Sequence, residues 1–207
     1  MKKLILVTTL AMMPCLSQAA PVFSDNFDND ALGLNQHTFL GGWSVIGGSV
    51  DLIGEPSFFD LLPGHGRYVD LDGSTNTGGR LDKAISLAGH TKYNLSFDLA
   101  GSQRGDSNTV EVIFGTNEQS FTLSSADPFK RYTLSFTTND AADYQINFHN
   151  VDEIVGVNTV HGDNMGALLD NVTVTVATVP EPETYLMMLT GLGIMGFSAR
   201  RRNKINS

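Results

Sequence analysis

Apolar and polar residues alternate one by one through much of this chain. Tyr93, Leu95, Phe97 and Leu99 alternate with Asn94, Ser96 and Asp98, and Tyr132, Leu134 and Phe136 with Thr133, Ser135 and Thr137. Ile146 and Phe148 interleave with Asn147 and His149, and Val172, Val174 and Val176 with two threonines. A period of two sends every second side chain to the same face, so each run predicts a strand half-buried on a core. Weaker runs predict strands over Trp43–Ile46, Ser49–Ile53, Arg67–Leu71, Gly79–Leu87, Thr109–Phe114 and Gln119–Leu123. Turn-forming pairs separate them, among them Gly47-Gly48, Pro63-Gly64, Asp72-Gly73, Asp127-Pro128 and Asn139-Asp140. There is no long helical periodicity, no internal repeat and no second domain. Roughly nine or ten short strands at this spacing predict an all-β fold, an antiparallel β-sandwich of the jelly-roll kind.

Composition agrees. The 207 residues include 21 glycines and 12 phenylalanines, with only 17% charged, a mixture suited to many turns and a β-rich core. Charge is uneven. Residues 20–180 hold 7 basic and 20 acidic residues, a net charge of −13. Such a body repels nucleic acid and anionic headgroups. Its simplest role is a solubilising surface.

The two ends differ from the body. MKKLILVTTLAMMPCLSQA, residues 1–19, has two lysines, an apolar stretch and small residues at Ser17 and Ala19. These are the three parts of a secretory signal peptide, with cleavage expected after Ala19. Cleavage after Ala20 would place Gln18 and Pro21 at the flanking positions, both poor. The single cysteine, Cys15, falls inside this leader, so no disulfide is expected in the mature protein. At the other end, residues 185–199 are uncharged and apolar, followed by Arg200, Arg201 and Arg202. A helix of that length spans only ~22 Å against ~30 Å of hydrocarbon. The arginines can snorkel to the interface and fit the positive-inside rule. The expectation is a single transmembrane helix with the body outside and a basic tail, residues 200–207, in the cytoplasm.

Val179-Pro180-Glu181-Pro182-Glu183-Thr184, the short Gly-rich apolar stretch and the arginine cluster follow one another in that order. This ending resembles a PEP-CTERM sorting signal. The resemblance implies recognition at Pro180, Glu181 and Pro182, and processing at the inner membrane by an exosortase. It also implies export through the secretion machinery, a transient membrane anchor, and delivery to the cell surface or exopolysaccharide matrix of a Gram-negative bacterium. Glu183 departs from the family, which more often has a small residue there. The two prolines hold the segment extended, within reach of a processing enzyme. The expected organisation is thus a leader (1–19), a sandwich (20–177), a linker (178–184), an anchor helix (185–199) and a tail (200–207).

A second resemblance covers the body. Asn26-Phe27-Asp28, then GRYVDLDG, a Gly-Arg-Leu strand, YNLSFDLAGS and a closing GDNMGALLDNVTV occur in this order. The series resembles the galactose-binding-like jelly rolls of carbohydrate-binding modules. In such folds the first and last strands are neighbours and a structural calcium ion often joins them. The resemblance therefore implies Asp25, Asp28 and Asp170 as ligands of a structural Ca²⁺. Asp170 lies between Leu169 and Val172, where a carboxylate needs a partner or a cation; alternatively it faces solvent or caps a turn.

Other chemistry is sparse. His149, Asp152, Glu153, His161 and Asp163 lack the tight spacing of a transition-metal site and read as solvated loop residues, as His65 reads as a turn residue. The DLDG segment lacks the remaining ligands of a calcium loop and reads as a turn. Sugar modules stack rings on exposed aromatics rimmed by polar groups. Phe58 and Phe59, with Arg104 and Asp106, are the candidate glycan-binding residues, whereas the lone Trp43 is expected in the core. No Gly-x-Ser-x-Gly, P-loop, dinucleotide fingerprint or nucleophilic cysteine occurs. The expectation is a non-enzymatic structural, adhesive or carbohydrate-binding module, with an extracellular glycan hydrolase as the alternative.

Overall fold

The computed structural model describes residues 20–56, 59–75, 77–151, 163–177 and 188–195. The leader, Phe58, the Pro-Glu-Pro motif and the arginine cluster lie outside them. Among the described residues there are twelve strands: β1 (Phe23–Asp25), β2 (Gly33–Gln36), β3 (Ser44–Ile46), β4 (Val50–Gly54), β5 (Arg67–Asp70) and β6 (Arg80–Leu87), then β7 (Lys92–Ala100), β8 (Asn108–Phe114), β9 (Asn117–Leu123), β10 (Lys130–Thr137), β11 (Ala142–Val151) and β12 (Leu168–Val176). They form two antiparallel sheets. One has the order β10-β7-β12-β5-β4-β2 with β1 also on β12; the other has the order β3-β6-β11-β8-β9. The body is the predicted all-β sandwich.

The alternating runs became β7, β10, β11 and β12. Their apolar positions Leu95, Phe97, Leu134, Ile146, Phe148, Val172 and Val174 all point into one core. Trp43 sits at its centre, 2% exposed, with Phe23, Phe27 and Phe148 around it at ring separations of 5.8, 6.1 and 6.0 Å. Its indole N–H donates to Asp25 Oδ2 at 3.0 Å. A buried indole needs that acceptor.

Strands β1 and β2 were not predicted. They have three and four residues and no alternation, and their pairing comes from β12 and β4. The same edge of β12 serves two partners. Leu168 and Leu169 pair with β5, and Val172 to Val174 pair with β1. Between them Asn171 adopts φ +52°, a left-handed conformation that asparagine tolerates better than most residues. Its side-chain amide donates to Asp98 and Asp170, which fixes the shift in β12–β7 register between Asp170 and Thr173.

A smaller apolar cluster lies on the outer face of the larger sheet. Ile53, Tyr68, Ala100 and Leu168 are covered there by Leu61, Leu62 and Phe129. The Tyr68 hydroxyl accepts from the Leu61 and Leu62 amides at 2.6 and 2.9 Å and donates to Asp60 at 2.9 Å. Burial pushes its pKa up to about 12. One phenol thus pins the β4–β5 loop to the sheet.

Near the C-terminus, residues 188–195 are helical and exposed. Among the described residues no helix is long and apolar enough to cross a membrane. The rest of the expected anchor, 185–199, lies outside the described residues.

Candidate functional site

The polar half of the alternation builds an ordered surface on the smaller sheet. Ser44 stands opposite Asp82, Asp82 opposite Asn147, and Asn147 opposite Ile113. The next row runs Ile46, Arg80, His149, Glu111 and Ser120. Adjacent strands are about 4.8 Å apart, so these side chains form a grid on the outer face. A groove of about 480 Å³ runs over its β3-β6-β11 half, lined by Ser44, Ile46, Arg80, Asp82, Gln145 and Asn147, with Gly42 and Ala84.

The floor of the groove is fixed. Arg80 donates from Nε and Nη2 to the two oxygens of Asp82, both at 2.7 Å, and Asn147 Nδ2 donates to Asp82 Oδ1 at 2.6 Å. Asp82 is 7% exposed. A carboxylate offers about four acceptor positions, and three donors occupy it, so one remains for an incoming hydroxyl. Ser44 and Gln145 stand exposed beside it. His149 is half-buried, not a solvated loop residue; burial first and the charge of Arg80 second hold its pKa below the usual imidazole range. A neutral imidazole both donates and accepts, which suits a hydroxyl ligand.

Further along the same face, Glu118 shares a hydrogen bond with Glu111, which raises the Glu118 pKa.

Two of the four residues chosen for glycan contact come together elsewhere. Phe59 and Arg104 line a cavity of about 120 Å³ on the larger sheet, with Leu34, Asp51, Asp70 and Ser74. Arg104 Nη2 donates to Asp70 Oδ2, and Nη1 donates to the Asn164 carbonyl at 2.5 Å. Burial drives the Asp70 carboxyl well above the usual range despite the opposing Arg104 charge. Asp72, in the segment read as a turn, is wholly buried, and burial raises its pKa while the Asn164 amide opposes the rise. Asp106 does not line the cavity. It accepts from Ser102 Oγ at 2.5 Å and Asn108 Nδ2 at 2.9 Å, and so holds its own loop. Phe58 lies outside the described residues.

The implied calcium ligands Asp25 and Asp170 lie on β1 and β12, and Asp28 lies just after β1. β1 and β12 are neighbours, but Asp25 faces Val172 in register, and its carboxylate is committed to the Trp43 indole and the Phe27 amide. Asp28 accepts from the Arg67 amide at 2.9 Å and Asn26 Nδ2 at 2.6 Å. Asp170 is buried, 3% exposed, and accepts from Asn171 through the backbone N–H and Nδ2 at 2.6 and 2.9 Å. Burial pushes its pKa up to about 7, and the charges of Asp28 and Asp98 add to the rise. Among the described residues no three histidine, cysteine or acidic side chains stand together as a metal cage. Asp152, Glu153 and His161 lie outside the described residues.

The two-sheet jelly-roll fold is shared with solved carbohydrate-binding modules. The body is similar to the CBM22-1 xylan-binding domain of Paenibacillus barcinonensis Xyn10C, at 10% identity and a TM-score of 0.50, over 78% of this chain and 97% of that one. It is also similar to the CBM22-1–GH10 modules of Clostridium thermocellum xylanase Xyn10B complexed with xylohexaose, at 13% identity and a TM-score of 0.50. That match covers 79% of this chain but only 30% of the longer one. At such identities the likeness concerns the fold. No curated protein matches the chain. Residues 178–202 carry a PEP-CTERM protein-sorting motif, which includes Pro180, Glu181, Pro182 and the arginine cluster.

Proposed function

We propose that this chain is an exported, exosortase-sorted protein whose sandwich binds carbohydrate without cleaving it, at the cell surface or in the exopolysaccharide matrix of a Gram-negative bacterium. The sorting motif at 178–202 supports the export half. The leader-like residues 1–19 fit the same route, with the tail as a transient anchor.

One observation carries the binding half. Asp82 is held by Arg80 and Asn147 in the floor of an open, polar groove, with acceptor capacity left for a hydroxyl. Preorganised polar groups need not reorder when a polyol binds. No lining side chain of the groove is aromatic, so a chain segment lying there is held by hydrogen bonds and by the apolar surface of Ile46.

The test is titration of the full chain with xylohexaose and with soluble polysaccharides, followed by an assay for new reducing ends. Saturable binding that Gln145→Ala weakens, with no new reducing ends, is the expected result. Release of reducing ends would establish a hydrolase instead, and no saturable binding to any glycan would leave a passive matrix role.

A further inference from the structure

The cavity beside Phe59 belongs to the opposite sheet and to different residues. We propose that it is a second carbohydrate site, a pocket for one terminal, uncharged sugar ring, so that the protein holds a chain end there rather than a chain interior.

The mouth and the floor differ in chemistry. Phe59 and Leu34 at the mouth are 46% and 47% exposed. Large apolar side chains exposed together on an acidic surface mark a contact site. Phe59 rides on the β4–β5 loop, which Tyr68 fixes from beneath through three hydrogen bonds. Presenting the ring therefore costs little ordering on binding. The C–H face of a pyranose is apolar and flat, and it buries against such a ring.

Ile53 and Leu61 also line the pocket, beside a polar part that is already built. Asp51 and Asp70 are 5% and 1% exposed. Asp51 Oδ1 accepts from the Asn35 amide at 2.7 Å and the Ser74 amide at 3.2 Å, and Oδ2 accepts from Ser74 Oγ at 2.6 Å. Asp70 accepts from Arg104 and from the Asp72 amide. The one guanidinium has its two terminal nitrogens committed to Asp70 and Asn164. The pocket thus offers acceptors in excess of donors. That balance favours hydroxyl groups and disfavours uronates, phosphates and sulfates, whose charge would meet the Asp51 carboxylate.

Size sets the stoichiometry. Sites for drug-sized ligands run about 300–1,000 Å³, and this cavity is about 120 Å³. One ring can enter, edge first, with the chain leaving past Phe59. The groove on the other sheet is open and has no comparable depth limit. The two sites then divide the work: one grips the interior of a glycan and the other its end.

The experiment is saturation-transfer NMR on the full chain with the methyl β-glycosides of glucose, galactose, mannose and xylose, and with methyl β-glucuronide as the charged control. At least one neutral glycoside is expected to receive saturation, most strongly at its ring C–H protons, and the glucuronide none. Phe59→Ala is expected to weaken the affinity about tenfold or more, the effect of losing roughly 1.4 kcal/mol of contact. Gln145→Ala reports on the groove alone: signal lost with Phe59→Ala but kept with Gln145→Ala belongs to the pocket, and the reverse belongs to the groove. The thermal midpoint of the Phe59→Ala variant, measured alongside, separates a lost sugar contact from a lost fold. Silence from all four neutral glycosides, a signal that survives Phe59→Ala, or equal binding of the glucuronide would overturn the proposal.

Discussion

Asn147 donates its side-chain amide to Asp82 across 2.6 Å between β11 and β6, although 65 positions separate them in the chain. Removing the donor leaves a buried carboxylate with Arg80 alone. Asn147→Ala should therefore destabilise the sandwich by about 1–3 kcal/mol, the range for a lost hydrogen bond to a charged group. Urea unfolding measures it. A change within about 0.5 kcal/mol, as for an ordinary surface site, would show that solvent replaces the amide and that the floor is not rigid.

The Asp25–Trp43 hydrogen bond makes a structural claim about a residue first chosen as a calcium ligand. Asp25→Ala strands a buried indole N–H and removes a negative charge that acts on Lys83, whose ammonium donates to Gly41 O at 2.6 Å. A loss of roughly 1–3 kcal/mol is expected, alike in EDTA and in millimolar calcium. A loss seen only with calcium present would show Asp25 to be a cation ligand.

The Asp170 carboxyl gives a pH dependence with a definite sign. Its folded pKa, about 7, lies above the unfolded value of about 3.9, so the folded state binds the extra proton. Stability from this group is complete below about pH 4 and is lost as pH rises through about 7. Asp70 and Asp72 are raised in the same direction. Asp170→Asn should flatten part of the decline between about pH 4 and 8, a gain on the order of 2–4 kcal/mol at the alkaline end. Chemical unfolding at several pH values reads it, and parallel curves for parent and variant would refute the assignment.

Gly115 closes the β8–β9 hairpin at φ +63°. A Cβ there would lie 2.5 Å from the Phe136 ring. Gly115→Ala must strain the backbone and displace a core aromatic, so a loss of about 1–3 kcal/mol is expected. An unchanged thermal midpoint would mean that the turn relaxes freely.

How legible was all this in the sequence? Strands such as β7 and β12 were readable because one face is buried and the other wet, and a period of two records that contrast. β1 and β2 were not, because strands of three and four residues are too short to show a period. Trp43 was rightly expected in the core. The groove was invisible for a different reason: Asp82, Gln145 and Asn147 are the polar half of an alternation, and only the register brings them together. A charged residue inside a strand, as Asp82 is between Leu81 and Lys83, was the one available signal. Phe59 and Arg104 were chosen as loop residues of suitable chemistry, and the fold placed both on one cavity. Adjacency of the first and last strands was expected too, but it did not fix where Asp25 points. That depended on the position of Trp43.

The central claim is that the open face of the smaller sheet holds carbohydrate. Calorimetric titration of the full chain and of Gln145→Ala with one glycan panel tests it most directly. The account predicts saturable binding by the parent and an affinity at least several-fold weaker for the variant, at equal thermal stability. Equal affinity of the two proteins for every glycan that binds would contradict it.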